Sequence, residues 1–125
     1  MNLNQVTVPS SDIERSVAFY LQLGLTIIVK SPHYARFVCP DGDATFSVIV
    51  DDTFANGSGI HVYFECSDLD DRVSTLVSKG IHFDEMPNDK PWLWREAHLK
   101  DPDNNHIILY FAGSNRLNPP WRIQS

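Results

Sequence analysis

The chain contains an internal repeat in which two copies align without a gap, offset by 56 residues from Ser11 to Ser67. The first copy runs from Ser11-Asp12-Ile13-Glu14 to Gly24-Leu25, and the second runs from Ser67-Asp68-Leu69-Asp70 to Gly80-Ile81. Each copy predicts a strand, a capped helix, a glycine stop and another strand. A chain of two such copies is expected to form its functional surface where the copies face each other, so equivalent positions of both copies are candidate site residues.

The first copy predicts one strand, one helix and three further strands within residues 3–50. A capping-box pattern of Ser11 and Glu14 predicts the start of the helix, and Gly24 predicts its end. Pro9 is expected to stop the first strand before the helix begins. Apolar residues between turn signals predict strands over residues 3–8, 25–29, 35–39 and 44–50.

The second copy predicts the same order over residues 60–111, after a polar linker at residues 51–59. Ser67 or Asp68 is expected to cap its helix, and Gly80 to end it. Strands are predicted over residues 60–66, 81–83, 92–99 and 106–111, with a loop at 86–91 and a tail at 112–125. The pattern therefore predicts an α+β fold in which two βαβββ modules form one domain over residues 1–125, with a curved mixed sheet and an open central trough.

Charge and hydropathy exclude two classes of partner. The net charge is −6, and no basic stripe is available to follow a phosphate backbone. No apolar run approaches the roughly 20 residues that a membrane-spanning helix needs. The first five residues lack the charged and apolar regions of a signal peptide. We therefore expect a cytoplasmic protein that binds neither nucleic acid nor membranes.

Three motifs in a fixed order carry a family resemblance. Residues 3–8 lead into Ser11-Asp12-Ile13-Glu14-Arg15-Ser16, Phe19-Tyr20 precedes Leu23-Gly24-Leu25, and Asp101-Pro102-Asp103-Asn104 precedes the last strand. Together they resemble the vicinal oxygen chelate superfamily, which includes glyoxalase I, extradiol dioxygenases and bleomycin-resistance proteins, over about residues 3–111. The resemblance implies the two-module fold. It leaves the reaction open, because this fold hosts many chemistries and some members only bind.

The resemblance also implies where metal-using members hold a divalent ion. The four positions fall at Gln5 and His61 on the first strands, and at Ser47 and Ile108 on the last strands. Members usually carry glutamate at the last two, whereas a neutral hydroxyl is a poor ligand and a hydrocarbon is none. We therefore expect no resident cofactor. Gln5 and His61 are the residues that would hold a divalent metal in the alternative case.

A variant ligand set is that alternative. His106 shares a strand face with Ile108, and Glu65 shares one with His61. A set of His61, His106 and Glu65 would serve a metal-dependent enzyme, although a step of two residues displaces a side chain by about 6.6 Å. Without a metal, His61 forms a polar wall of a ligand pocket. Glu65 is then a general base, with His61 as the second catalytic candidate, or an anchor for a cationic ligand, or an ordinary surface acid. These interpretations stay open.

Aromatic side chains predict the wall of a pocket for a flat ligand. Strand alternation places Trp92 and Trp94 on one face, where the alternative role is in a subunit interface or core. Tyr63 shares the face of His61, and Tyr110 shares that of Ile108. The predicted ligand-binding residues are Gln5, Ser47, His61, Tyr63, Trp92, Trp94, His106, Ile108 and Tyr110.

Three functions remain open from the sequence. The leading hypothesis is binding, with or without turnover, of a small organic molecule in the trough without the usual metal, which resembles the bleomycin-resistance branch. The alternatives are a metal-dependent lyase or dioxygenase with a variant ligand set, and a non-enzymatic sensor or sequestering module. The resemblance further implies a homodimer, because family members commonly complete the trough with a second subunit.

Overall fold

A computed structural model describes residues 1–53 and 57–123, and it confirms the predicted order of elements and the α+β class. Each module contains one strand, one helix and three strands. The elements of the first module are β1 (Gln5–Ser10), α1 (Ile13–Leu23), β2 (Thr26–Ser31), β3 (Tyr34–Val38) and β4 (Thr45–Val50). Those of the second are β5 (His61–Glu65), α2 (Leu69–Ser78), β6 (Glu85–Asp89), β7 (Arg95–Lys100) and β8 (His106–Phe111). A short 3-10 helix, Gly113–Asn115, follows in the tail.

The strands form two four-stranded mixed sheets of the same topology, ordered β1-β4-β3-β2 and β5-β8-β7-β6. In each sheet the first and last strands of the module pair in parallel, and the other neighbours are antiparallel. The chain divides into two compact units, Met1–Ile60 with Asp101–Asn105 and His61–Lys100 with His106–Ser125. The single domain around an open trough stays a prediction, and residues 54–56 of the predicted linker lie outside the described residues.

The start of α1 differs from the predicted capping box by one residue. Asp12 is the N-cap, and its side chain accepts a hydrogen bond from the backbone N–H of Arg15 at 3.2 Å. Ser11 instead gives both its backbone N–H and its hydroxyl to the carboxylate of Asp103. The predicted stop at Gly24 is confirmed, because this residue has the left-handed φ of 117° that ends a helix.

An aromatic core holds α1 against the first sheet. Tyr20, Phe37 and Phe46 are fully or almost fully buried. The ring of Tyr20 lies 4.7 Å from that of Phe46 and 5.8 Å from that of Phe37, between centroids. Tilted packing at these distances is favourable for aromatic rings, so this cluster fixes the helix over the inner strands.

The end of the first strand was predicted wrongly, at a proline. The first strand continues through Pro9 to Ser10. Proline is tolerated there because β1, among the residues that the structure describes, pairs with β4 alone. It is therefore an edge strand, where a missing N–H breaks no second ladder.

The predicted strand over residues 81–83 is also wrong. Ile81 and Phe83 are buried but form no strand, and the strand that follows α2 is β6, inside the region predicted as a loop. Likewise β7 begins at Arg95 and not at Trp92, because Leu93 has a positive φ of 70° that interrupts an extended backbone.

The helices α1 and α2 contain 11 and 10 residues. Within residues 1–53 and 57–123, no helix is long and apolar enough to cross a membrane.

A buried carboxylate organises the first compact unit. One oxygen of Asp101 accepts hydrogen bonds from the Tyr20 hydroxyl at 2.6 Å and the Asn105 side-chain amide at 2.8 Å. The other accepts the backbone N–H groups of Asp103 and Asn105, both at 2.9 Å. Burial raises the pKa of Tyr20 well above its ordinary value, and the charge of Asp101 raises it further, so the phenol stays a donor.

The variant Tyr20→Phe tests this anchor. It keeps the aromatic packing but removes one donor from a buried carboxylate, so we expect a loss of about 1–2 kcal/mol in the free energy of unfolding. Urea denaturation measures the loss. The control is Tyr63→Phe, at a tyrosine that is 44% exposed, where we expect a change within about 0.5 kcal/mol. Equal stability of both variants would contradict an anchoring role for the Tyr20 hydroxyl.

Candidate functional site

One face of the second sheet collects most of the residues that the sequence predicts for the site. Strand alternation and the register of β5, β8 and β7 bring three rows of side chains to this face. The rows are His61, His106 and Lys100; Tyr63, Ile108 and His98; and Glu65, Tyr110 and Glu96. The opposite face of these strands carries Val62, Ile107 and Leu109, which are buried on the side of α2. We call the face that carries these three rows the site face of the second sheet.

A hydrogen-bonded chain of one carboxylate and two imidazoles runs across the site face. Oε1 of Glu96 lies 2.8 Å from Nε2 of His98, and Nδ1 of His98 lies 2.9 Å from Nε2 of His106. We call Glu96, His98 and His106 the histidine–glutamate network. In a neutral imidazole one ring nitrogen donates while the other accepts. The tautomer of one histidine therefore determines the tautomer of the histidine to which it is bonded.

The carboxylate at the end of this network is buried with two partners. Glu96 is only 1% exposed. Its second oxygen, Oε2, accepts the indole N–H of Trp92 at 2.6 Å. An indole nitrogen can only donate, so it fixes this oxygen as an acceptor. Trp92, predicted as a stacking wall, thus holds the buried carboxylate from a turn that precedes β7.

His61 stands beside the far end of the network. Its ring centroid lies 4.2 Å from that of His106, at an interplanar angle of 47°. Burial lowers the pKa of His106, and the neighbouring His61, His98 and Lys100 lower it further, against a weaker opposite effect of Asp84. His106 is therefore neutral at physiological pH, when it can accept as well as donate a hydrogen bond.

An aromatic cluster lies further along the same face. Trp94 stacks on Tyr110 with centroids 4.7 Å apart, and Tyr63 contacts both rings edge-on at 5.8 and 5.4 Å. We call Tyr63, Trp94 and Tyr110 the aromatic cluster. Tyr110 is buried and Trp94 partly buried, whereas Tyr63 is exposed. Burial raises the pKa of Tyr63, and the charge of Glu96 adds to this, so the phenol is neutral. The cluster thus offers an uncharged aromatic surface.

Glu65, the predicted general base, has structural partners. Its Oε2 accepts the backbone N–H groups of Ala112 and Gly113, both at 2.9 Å, and its Oε1 lies 4.0 Å from Nε of Arg116. These bonds join the end of β5 to the start of the tail. One carboxylate oxygen is thereby occupied, and the catalytic role of Glu65 stays a prediction.

The equivalent face of the first sheet carries a different polar network. Nε2 of Gln5 donates to the buried hydroxyl of Ser47 at 2.8 Å, and Oε1 of Gln5 accepts from the Thr45 hydroxyl. The hydroxyls of Ser47 and Tyr34 are 2.7 Å apart, and Nε of Arg36 donates to the Tyr34 oxygen at 2.9 Å. Both ends of the Gln5 amide are therefore engaged within its own sheet.

The four positions that the resemblance assigns to a metal do not form a suitable donor set. The first unit supplies the hydrogen-bonded amide of Gln5 and the hydroxyl of Ser47. The second supplies the imidazole of His61 and the fully buried hydrocarbon of Ile108. Divalent ions favour carboxylates or several imidazoles, and here the four positions hold one imidazole and no carboxylate. Within residues 1–53 and 57–123, no group of three or more His, Cys, Asp and Glu side chains is placed to hold a metal.

Sequence reasoning missed Glu96, at the buried end of the histidine–glutamate network, and Tyr34, in the polar network of the first sheet. Glu96 lies in the run Arg95-Glu96-Ala97-His98-Leu99-Lys100, whose alternation resembles a strand with one solvent-exposed face. The signal that was available is the spacing of Glu96 and His98, two residues apart on one strand, which places an acid next to a base. His98, the central member of the network, was not predicted as a site residue either.

Comparisons with known proteins agree with this fold. Residues 2–109 match the model of the Glyoxalase/Bleomycin resistance protein/Dioxygenase superfamily. The uncharacterized protein YraH of Bacillus subtilis (strain 168) is 30% identical over 127 aligned residues, which cover 88% of this chain and 98% of that protein. The chain therefore belongs to the Glyoxalase/Bleomycin resistance protein/Dioxygenase superfamily, as the resemblance implied.

Two solved structures illustrate the shared fold. A glyoxalase/bleomycin resistance protein/dioxygenase from Nocardioides superposes with a TM-score of 0.79 at 21% identity, covering 99% of this chain and 90% of that one. A bleomycin-binding protein in complex with bleomycin superposes with a TM-score of 0.73 at 21% identity, covering 89% and 98%. At this identity the likeness shows the fold alone. The ligand of this chain has to be inferred from its own residues.

The polar network of the first sheet predicts a pH effect. Burial raises the pKa of Tyr34, but the hydrogen bonds from Ser47 and Arg36 and the charge of Arg36 outweigh it, so the pKa is lowered overall. Arg36→Gln removes the charge and is expected to raise the pKa of Tyr34, which tyrosinate absorbance measures against a Tyr34→Phe reference. The pKa of Tyr34 is lower in the folded state than in the unfolded chain. The parent therefore gains stability relative to Arg36→Gln as the pH rises from the folded pKa towards about 10. Arg122→Gln in the tail is the matched control, and an equal shift in both variants would contradict the assignment.

Proposed function

We propose that this protein binds a small planar organic molecule on the site face of the second sheet and needs no metal to do so. The observation that carries the proposal is the aromatic cluster of Tyr63, Trp94 and Tyr110, which adjoins the imidazoles of His61 and His106 on the same face. An apolar aromatic surface beside a few fixed polar groups is the usual composition of a small-molecule site.

The cluster suits a flat ligand for two reasons. The exposed ring of Tyr63 stands edge-on to its neighbours and can turn to meet a second ring at little cost in packing. His61 and His106 lie one row away, about 6.6 Å along the strands, which matches the span of a fused two-ring molecule. A ligand that stacks on the cluster therefore reaches the histidines with a polar substituent.

The relatives support a binding role in general terms. The bleomycin-binding protein shares the fold of this chain and is described in complex with bleomycin. Its likeness does not extend to the ligand, so the proposal for this chain rests on its own aromatic cluster and on the missing carboxylates at Ser47 and Ile108. The homodimer implied by the resemblance stays a prediction.

Ligand binding is tested by titrating the protein with 2-naphthol and recording tryptophan fluorescence and the shift in melting temperature. We expect saturable binding, which Tyr63→Ala weakens by about tenfold because an aromatic contact contributes roughly 0.5–1.5 kcal/mol beyond its buried area. Trp121→Phe, in the tail, is the matched control and should leave the affinity unchanged while removing part of the background signal. Equal affinities of Tyr63→Ala and the parent would contradict a site at the aromatic cluster.

Metal independence is tested by equilibrium dialysis against Zn²⁺, Ni²⁺ and Mn²⁺, followed by elemental analysis, with 2-naphthol binding measured before and after chelation. We expect less than stoichiometric metal and unchanged ligand affinity, because the four assigned positions lack the anionic donors that such ions favour. His82→Ala, at an exposed histidine outside the site face, is the control for His61→Ala. One ion per chain that is lost in His61→Ala and kept in His82→Ala would establish the metal-dependent alternative instead.

A further inference from the structure

The histidine–glutamate network leaves one of its nitrogen atoms available for a ligand. Nδ1 of His106 has no hydrogen-bond partner among the described residues, whereas Nε2 is bonded to His98. Among those residues, the only buried side-chain nitrogen or oxygen without a partner is Oδ1 of Asn105. Nδ1 of His106 is therefore open to solvent, on the face that carries the aromatic cluster.

The direction of the hydrogen bonds in the network follows from its buried end. A carboxylate can only accept, so Glu96 requires a proton on Nε2 of His98. In a neutral imidazole the other nitrogen, Nδ1, then carries a lone pair and accepts from Nε2–H of His106. His106 in turn must keep its own Nδ1 unprotonated. With His98 as a neutral imidazole, each step follows from the one before it, from the buried carboxylate to the open nitrogen.

We propose that Glu96 and His98 are positioning residues that hold His106 as a hydrogen-bond acceptor, and that this selects planar aromatic ligands bearing a hydroxyl or another donor next to the ring. The inference rests on the proposed function and specifies the ligand class of the same site. It assigns roles that the four metal positions of the family do not include, since Glu96 and His98 lie on β7.

Other charged groups near the network do not reverse this direction. Oε2 of Glu85 lies 3.6 Å from Nε2 of His98, and its other oxygen is bound by Lys90 and Asn88. This second acid also favours a proton on Nε2 of His98. Lys100 on β7 is a cation bound to Asp84 at 2.7 Å, and it disfavours a positive charge on His106. His61 adjoins His106 by its ring and forms no hydrogen bond with it among the described contacts.

The variant Glu96→Gln reverses the network without unfolding it. The amide oxygen of glutamine can keep the bond from Trp92, and its NH₂ group then donates to Nε2 of His98. His98 must move its proton to Nδ1, donate to Nε2 of His106, and so leave a proton on Nδ1 of His106. All hydrogen bonds are kept, and the open atom changes from acceptor to donor. Glu85→Gln is the matched control, because it removes a neighbouring carboxylate and leaves the bond between Glu96 and His98 intact.

Two measurements test the inference. Nitrogen-15 shifts of the histidine rings at about pH 8, above the ordinary histidine pKa, report which nitrogen carries the proton and need no ligand. Titrations with 2-naphthol and 2-methoxynaphthalene then compare a donor with a matched compound that lacks it. In the parent and in Glu85→Gln we expect protons on Nε2 of His98 and His106 and about tenfold tighter binding of 2-naphthol. In Glu96→Gln we expect both protons on Nδ1 and equal binding of the two compounds.

The possible failures are distinguishable. A proton on Nδ1 of His106 in the parent, or a doubly protonated His98, would overturn the proposed direction of the network. The expected tautomers with equal affinity for the two compounds would overturn the ligand class and leave the proposed binding site intact. Absence of binding by both compounds, with the expected tautomers, would overturn the ligand class together with the proposed function.

Discussion

The parallel pairing of the first and last strands within each module is the constraint on which the site depends. In the first sheet it sets Gln5 beside Thr45 and Thr7 beside Ser47, and in the second it sets His61 beside His106 and Tyr63 beside Ile108. The registers are equivalent, so each side chain on the site face of the second sheet has a counterpart on the equivalent face of the first sheet. A shift of either pair by one residue would turn each site residue to the opposite face and into the helix layer.

The same register carries different chemistry in the two sheets. Arg36 pairs with Ser47 in the first, and His98 pairs with Ile108 in the equivalent place of the second. Tyr34 and Glu96 occupy the next equivalent position along those strands. One sheet thus holds a chain of neutral hydroxyls ending in a guanidinium, and the other holds a chain of imidazoles ending in a carboxylate. The two modules share the same strand geometry, and the residues at equivalent positions decide what each face can bind.

The sequence predicts the elements whose signals are local and misses those that need a distant partner. The stop at Gly24 and the limits of β8 follow from the φ preference of glycine and from a continuous apolar run, and both are confirmed. The strand β6 was missed, because its residues Glu85–Asp89 include proline and polar side chains and its pairing with β7 is irregular. Glu96 was missed, because its burial depends on Trp92, which reaches it only through a turn with a positive φ at Leu93.

The buried Glu96 is more than the fold requires. A hydrocarbon is tolerated on the same face, since Ile108 is fully buried one row away from Glu96. Replacing a buried charge by a well-packed apolar residue is often neutral or stabilising. The carboxylate instead needs two donors, from Trp92 and His98, to compensate for its lost hydration. Those donors place Trp92 in a constrained turn and fix both ends of the His98 ring. The arrangement costs desolvation and restricts three side chains. It is explained most directly by its effect on the last atom of the series, Nδ1 of His106, where the network meets solvent and where we propose that a ligand binds.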